Sequence, residues 1–195
     1  MSLVCGLDEA GRGPLAGPVC AAAVILGPDF PFALLNDSKK LSEKKRETAM
    51  SAIYAGAFAW GIGWASSAEI DRINILRASL LAMERAFACM RLPDGLGPIE
   101  AIADGLYSPR LGIPCRALVK ADATVYEVMA ASILAKTARD RMMVRYSWIY
   151  PEYAYEKHKG YPTREHLLRI ASFGPSPLQR LSFRVSSPAQ GELDF

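Results

Sequence analysis

The stretch that decides the fold is LVCGLDEAGRGP, residues 3–14. Its first part is apolar and predicts a short buried strand, Leu3–Leu7. Two acids, Asp8 and Glu9, follow this strand directly, and the glycines and prolines of residues 11–18 predict a tight loop. Because ligands of open α/β sheets gather beyond the strand ends, this stretch predicts a ligand site.

The other elements follow from alternation, from helical periodicity and from the positions of glycine and proline. Further strands are predicted at Val19–Leu26, Ala57–Ala65, Glu100–Ala103 and Pro114–Val119. Helices are predicted at Glu43–Tyr54, Ser67–Ile73, Asn74–Met90, Thr124–Tyr146 and Thr163–Phe173. Three strands in hairpin connection, followed by strands that helices separate, predict an α/β fold with a five-stranded mixed sheet. We expect one domain over residues 1–195, with residues from about 146 to 195 as a small C-terminal helical extension.

The charge of the chain is unevenly distributed. The net charge of +3 is too small to indicate a nucleic-acid partner by itself. Residues 1–135 carry 13 basic and 14 acidic side chains, whereas residues 136–195 carry 10 and 6. A basic C-terminal third is compatible with a polyanionic ligand, and equally with an ordinary solvated face.

The cysteines and the apolar runs indicate the compartment. The four cysteines form no CxxC pair, which favours reduced thiols, with a Cys5–Cys20 disulfide across a hairpin as the disfavoured alternative. Charged residues interrupt the N-terminal segment too early for a secretory signal peptide. The longest apolar run, Val19–Leu26, is far too short to span a bilayer. We therefore expect a cytoplasmic monomer that does not contact a membrane.

Four carboxylates fall where predicted strands end: Asp8, Glu9, Asp104 and Asp122. Strand ends meet at one crevice, so we expect these acids to converge. Oxygen donors without His or Cys favour Mg²⁺ or Mn²⁺, and two such ions about 3.5–4 Å apart support phosphoryl displacement. A lone strand-end Asp is also a common cap or turn residue. Adjacent strand residues normally point to opposite faces, so the geometry of Asp8 and Glu9 is left open.

Several blocks of the sequence resemble, in order, the type 2 ribonuclease H family. They are GLDEAGRGPLAGPV (6–19), LNDSKKLS (35–42), DRINIL (71–76), AASILAK (130–136), RDRM (139–142), HKGYPT (158–163) and FGPSP (173–177). The resemblance implies a ribonuclease H-like fold. It also implies an endoribonuclease that hydrolyses the RNA strand of RNA–DNA hybrids and cuts 5′ to ribonucleotides embedded in duplex DNA. The implied mechanism uses two Mn²⁺ or Mg²⁺ ions and leaves 3′-hydroxyl and 5′-phosphate ends.

The resemblance also implies roles for individual residues. The family's catalytic, metal-binding acids are matched by Asp8, Glu9, Asp104 and Asp122. The loop that senses the ribose 2′-hydroxyl is matched by Gly11, Arg12 and Gly13. Tyr161 matches a tyrosine that packs on the sugar beside the ribonucleotide junction. Phosphate contacts are expected from six basic residues: Lys39, Lys40, Lys136, Arg139, His158 and Lys159.

Some positions depart from the family pattern, although none of them is an expected metal ligand. Ala121 replaces a glycine before the last acid, Leu106 stands where asparagine is frequent, and Gln179 replaces a histidine. Two rival hypotheses stay open. Another nuclease or recombinase of the same fold should lack the GRG loop and the tyrosine block, and a non-catalytic duplex-binding protein should lack one of the acids.

Overall fold

The structure, a computed structural model, describes residues 3–36, 38, 41–92, 97–98 and 100–184. Its strands are β1 (Val4–Ala10), β2 (Val19–Leu26), β3 (Ala57–Ala65), β4 (Glu100–Asp104) and β5 (Cys115–Leu118). They form one sheet in the order β3-β2-β1-β4-β5. β1 pairs antiparallel with β2 and parallel with β4, while β2–β3 is antiparallel and β4–β5 parallel. The predicted five-stranded mixed sheet is confirmed.

The helices are α1 (Glu43–Gly56), α2 (Ser67–Ala88), α3 (Tyr126–Ile149), α4 (Tyr155–His158) and α5 (Arg164–Phe173). The predicted boundary between two helices at residue 74 is a kink inside α2, where Asn74 has φ 67°. Its side-chain oxygen accepts a hydrogen bond from the Arg77 N–H at 3.1 Å and so caps the second half of α2. α4 was not predicted. Within the described ranges, no helix is long and apolar enough to cross a membrane.

β1 is longer than predicted, and this changes the site. The strand continues to Ala10 because residues 8–10 pair with residues 20–22 of β2. Cys5 and Leu7 belong to the core cluster on the α2 side of the sheet, while Cys20 belongs to the cluster under α1 and α3. The two cysteines are free and lie on opposite faces, so the alternative of a disulfide between them is wrong.

Gly6 lets α3 approach the sheet closely. A Cβ atom at this position would lie 2.2 Å from the carbonyl carbon of Glu127 and 2.3 Å from the nitrogen of Val128. Both atoms are helix backbone, which cannot rotate away as a side chain could. The contact fixes the distance between β1, which carries Asp8, and the helix that covers it.

We expect Gly6→Ala to lower the free energy of unfolding by about 3 kcal/mol, because the added methyl displaces a helix. Urea unfolding followed by circular dichroism measures this loss. Gly27→Ala is the matched control, since no described atom lies within 4 Å of a Cβ there. Equal unfolding midpoints for the two variants would show that α3 can shift at little cost.

Candidate active site

The four predicted acids line a single pocket of about 380 Å³ at the edge of the sheet: Asp8, Glu9, Asp104 and Asp122. The register pairs Leu7 with Ala103, so Asp8 and Asp104 follow side by side on parallel strands. Asp122 lies in a 3₁₀ turn, residues 121–123, between β5 and α3. The convergence expected from the strand ends is therefore present in the structure.

Asp8 and Glu9 reach this pocket from the two faces of β1. Alternation along the strand places Glu9 on the α2 side with Leu7, and Asp8 on the α3 side. The carboxylate of Asp8 shares the pocket with the hydroxyl of Ser132 of α3. Glu9 is paired with Arg12, whose guanidinium nitrogen lies 3.2 Å from its carboxylate. Because the pocket lies at the end of the strands, both faces open into it.

The pocket holds negative charge that the protein compensates poorly. Asp8 is only 5% exposed. Burial, together with the charges of Glu9 and Asp104, raises the pKa of its carboxyl well above the usual range, against the opposite effect of the nearby Ser132 hydroxyl. Burial also raises the pKa of Glu9, although Arg12 offsets part of the effect. Such a pocket attracts a cation.

The geometry of the acids is not that of a formed metal cluster. Among the residues that the structure describes, no group of three His, Cys, Asp or Glu side chains is arranged to hold a metal ion. Asp104 is held in another way, since its Oδ1 accepts a hydrogen bond from the backbone N–H of Ala121 at 2.7 Å. The methyl group of Ala121 is buried beside Ile102 and Val128, so this departure from the family pattern leaves the bond intact.

Arg139 supports the glycine loop, residues 11–18, from its buried side. Its side chain is 1% exposed, and it donates to the carbonyls of Pro18 at 2.9 Å, Lys159 at 3.0 Å and Ala16 at 3.2 Å. Gly11, with φ +95°, lies directly against it, since a Cβ there would be 1.9 Å from Arg139 Nε. The prediction that Arg139 contacts a phosphate is therefore wrong, because its donors are buried and bind backbone oxygens.

Arg180 holds the same loop from the C-terminal side, a role that no sequence pattern predicted. Its buried guanidinium donates to the carbonyls of Gly11 at 2.6 Å, Arg12 at 2.9 Å and Gly17 at 2.9 Å. Burial and the nearby Arg139 lower the pKa of Arg180 to about 9, which leaves it charged at pH 7. Two arginines thus bind the carbonyls that turn inward from the loop.

Two serines were also missed as individual residues, although both lie in blocks that match the family. Ser38 and Ser132 are buried, and their hydroxyl oxygens lie 2.9 Å apart. Since Ser132 lines the pocket beside Asp8, this chain of hydroxyls connects the pocket to the loop before α1. No periodicity marks such a chain, because it depends on the packing of α3 against a distant loop.

Tyr161 lies at the other wall of the pocket, beside the glycine loop. Its ring is 38% exposed, and a Cβ on Gly13 would lie 3.7 Å from ring atom Cε1. The ammonium group of Lys136 is 5.9 Å from the ring centroid and also bonds Asp140 at 2.9 Å. The structure therefore brings the predicted residues Tyr161 and Lys136 to the acids. Lys39 and Lys40 lie outside the described residues.

His158 is buried below Tyr161 and does not line the pocket. Its Nδ1 accepts from the Gly160 N–H at 3.2 Å, and its Nε2 therefore donates to the carbonyl of Tyr153 at 2.9 Å. His166 stacks on it with ring centroids 4.4 Å apart and binds the Tyr161 carbonyl through Nδ1 at 3.0 Å. The prediction that His158 contacts a phosphate is therefore wrong. The histidine pair instead supports the backbone that carries Tyr161.

We expect His166 to make the fold less stable as the pH falls from about 6.5 to about 4, a contribution opposite in sign to that of Asp8 and Glu9. The pKa of His166 is lowered from 6.5 to about 4, first by burial and then by His158. In this window the unfolded chain binds more protons than the folded one, so protonation favours unfolding. After allowance for solvent screening, the loss is roughly 1–2 kcal/mol.

Urea unfolding at pH 7, 6 and 5 measures this effect, with His166→Gln as the comparison. Glutamine keeps a donor for the Tyr161 carbonyl but does not titrate, so the stability of this variant relative to the wild type should rise as the pH falls. The same pH dependence in both proteins would assign the acid sensitivity to other groups.

Comparisons with known proteins agree with this architecture. Residues 5–186 match the family model described as Ribonuclease HII. A Ribonuclease HII of Treponema denticola is 58% identical over 197 residues, covering 95% of this chain and 100% of the relative. A Ribonuclease HII of Dechloromonas aromatica is 51% identical over 183 residues, covering 94% and 91%.

Solved structures show the same fold. A ribonuclease H2 of Pyrococcus horikoshii OT3 superposes with a TM-score of 0.73 at 24% identity, covering 94% of each chain. The structure of a PCNA:RNase HII complex from Archaeoglobus fulgidus gives a TM-score of 0.72 at 25% identity, covering 94% of this chain and 96% of that one. The chain therefore belongs to the ribonuclease HII family, and it is a hydrolase of the ribonuclease H class with the ribonuclease H fold.

Proposed function

We propose that the chain is an endoribonuclease that hydrolyses the RNA strand of RNA–DNA hybrids and cuts 5′ to ribonucleotides embedded in duplex DNA. The products would carry 3′-hydroxyl and 5′-phosphate ends. One observation carries the proposal: the pocket of four acids is also lined by the glycine loop and Tyr161. Chemistry at a phosphate and contact with a sugar are thereby available side by side. A recombinase or a passive duplex binder would need no such combination.

We infer that the acids hold Mg²⁺ or Mn²⁺, with two ions in the reactive complex. The donor set is oxygen only, and its charge is buried and poorly compensated, which suits a hard divalent cation. Because the side chains do not form a ready cluster, binding would require them to rotate. Such ions, when bound, lower the pKa of the attacking water and stabilise the leaving oxygen.

The residues around the acids would position the substrate. Gly11 and Gly13 carry no side chain at the pocket, so backbone N–H groups of the loop can approach a ribose 2′-hydroxyl. The ring of Tyr161 would pack on the neighbouring sugar and disfavour one that carries an additional hydroxyl. Lys136, at the rim, would contact a backbone phosphate.

A DNA duplex that contains one ribonucleotide tests the function. With Mg²⁺ or Mn²⁺ we expect a single incision 5′ to the ribonucleotide, with a 5′-phosphate on the downstream product. The same duplex made only of DNA should stay intact. Absence of cleavage by a protein whose circular dichroism shows it to be folded would refute the proposal.

We expect Tyr161→Ala to lower kcat/KM on a single embedded ribonucleotide by about tenfold to a hundredfold, because the sugar beside the junction loses its platform. On a continuous RNA–DNA hybrid the loss should be smaller, since the neighbouring sugar there carries a hydroxyl that the ring disfavours. Tyr161→Phe keeps the ring and is the control. Equal losses on both substrates would contradict a role at the junction.

A further inference from the structure

A second groove, of about 610 Å³, lies along α3 and is larger than the acid pocket. Its walls come from α1, from the C-terminal half of α3 and from the segment around α4. Basic side chains outnumber the acidic ones, and they are Arg46, Arg141, Arg145, Lys157 and Lys159. A groove of this charge attracts a polyanion.

The groove begins where the acid pocket ends. Lys136 lines the pocket and bonds Asp140, which lines the groove, at 2.9 Å. Ser38 lines the pocket, and its carbonyl accepts a hydrogen bond at 3.0 Å from Arg46 of the groove. A polymer with one residue in the pocket can therefore continue into the groove without leaving the protein surface.

Several groups in the groove are available to a ligand. Arg145 is exposed, and its side chain makes no hydrogen bond or ion pair with the described residues. Trp148 is 76% exposed, one turn further along α3. Thr137 is buried in the wall of the groove, and its hydroxyl has no partner among the described residues. By contrast, Arg141 is already paired with Glu47.

We propose that this groove binds the phosphate backbone of the duplex on one side of the cleavage site, with Arg145 on a phosphate and Trp148 against a sugar. The inference rests on the proposed function, because it assumes that the substrate is a duplex centred on the acid pocket. Along α3, Ser132 and Arg145 are separated by about 20 Å at 1.5 Å per residue. For a duplex that runs parallel to α3, at 3.4 Å per base pair, the phosphate contact lies about six base pairs from the cut.

The test is a binding measurement that does not depend on cleavage. Duplexes with one central ribonucleotide carry neutral methylphosphonate linkages five to seven base pairs away, on one side or on the other. The dissociation constant is measured by fluorescence anisotropy without divalent cations. We expect neutral linkages on one side only to weaken binding by the wild-type protein, by roughly threefold to tenfold.

Arg145→Ala should weaken binding of the fully charged duplex to a similar extent. It should weaken binding of the duplex with neutral linkages little further, because both changes remove the same contact. It should also reduce the slope of log Kd against log salt by about 1. Arg91→Ala is the matched control, since Arg91 is exposed beside β3, in a different groove. This variant should bind both duplexes as the wild type does.

Trp148→Ala should weaken binding without changing the salt dependence, since it removes packing and no charge. The proposal is overturned if neutral linkages have no effect on either side, or if Arg145→Ala weakens both duplexes by the same factor. Loss of cleavage with these binding effects intact would refute the proposed function alone.

Discussion

Asp8→Asn is expected to lower the rate of cleavage by at least about a thousandfold and, at the same time, to stabilise the fold. Asparagine keeps the shape of the side chain and one oxygen, but it removes the negative charge that would bind a cation. Asp8 is the most buried of the four acids, and its carboxyl also accepts the backbone N–H of Glu9 at 2.7 Å. The substitution therefore changes charge with little change in packing.

The gain in stability follows from the direction of the pKa shift. Burial, Glu9 and Asp104 raise the pKa of Asp8 in the folded state above its value of 3.8 in the unfolded chain. Stability from the protonated form is complete below 3.8 and is lost as the pH rises through the folded pKa. At neutral pH the unfolded chain therefore ionises Asp8 more readily than the folded protein does, and this difference costs stability that an uncharged amide does not cost.

Thermal unfolding at pH 7.5 in EDTA and cleavage in Mg²⁺ measure the two effects. Asp29→Asn, on an exposed turn, removes the same charge and should change neither. Added Mg²⁺ should raise the melting temperature of the wild type more than that of Asp8→Asn. Substantial cleavage by Asp8→Asn would refute the metal-site assignment, whereas a lower melting temperature would refute the argument from uncompensated charge.

The five strands and the longer helices were predictable because each has a local pattern, whereas the four-residue α4 has none. Alternation marked β3, and the apolar run marked β2 at its observed bounds. The end of β1 was not predictable, because two acids do not resemble buried strand residues. Their place in the strand comes from pairing with β2, which is tertiary. Whether Asp8 and Glu9 share a site was left open for the same reason. The answer depends on where the pocket lies, because only a site at the strand end can receive side chains from both faces.

The support of the glycine loop was not predictable for a different reason. Arginine is normally assigned to the surface, and no periodic pattern marks a buried one. The carbonyl partners of Arg139 and Arg180 lie as far as 123 and 169 residues away along the chain. Lys136 and Arg139 are three residues apart on α3, yet one reaches the pocket and the other lies under the loop. From the sequence alone, both were predicted to contact a phosphate.

Arg180→Met is expected to lower the free energy of unfolding by about 3–5 kcal/mol, because three carbonyls lose a charged donor inside the protein. Cleavage should decrease by about a hundredfold or more, although Arg180 does not line the pocket, since Gly11 and Arg12 would lose their fixed position. Urea unfolding and kcat/KM below the unfolding transition measure both effects. Arg184→Met, at an exposed position four residues later, should behave as the wild type does.

A local measurement separates loss of the loop from general destabilisation. The N–H groups of Leu15 and Gly17 donate to the carbonyls of Gly160 and Leu178, each at 2.8 Å. In Arg180→Met these two amides should exchange with solvent much faster, while amides of β2 change only as far as global stability requires. Arg180→Lys keeps the charge but reaches fewer carbonyls. Its loop amides should therefore exchange faster than those of the wild type and more slowly than those of Arg180→Met. If cleavage is lost while both loop amides stay protected, Arg180 influences the pocket through its charge and not by holding the loop.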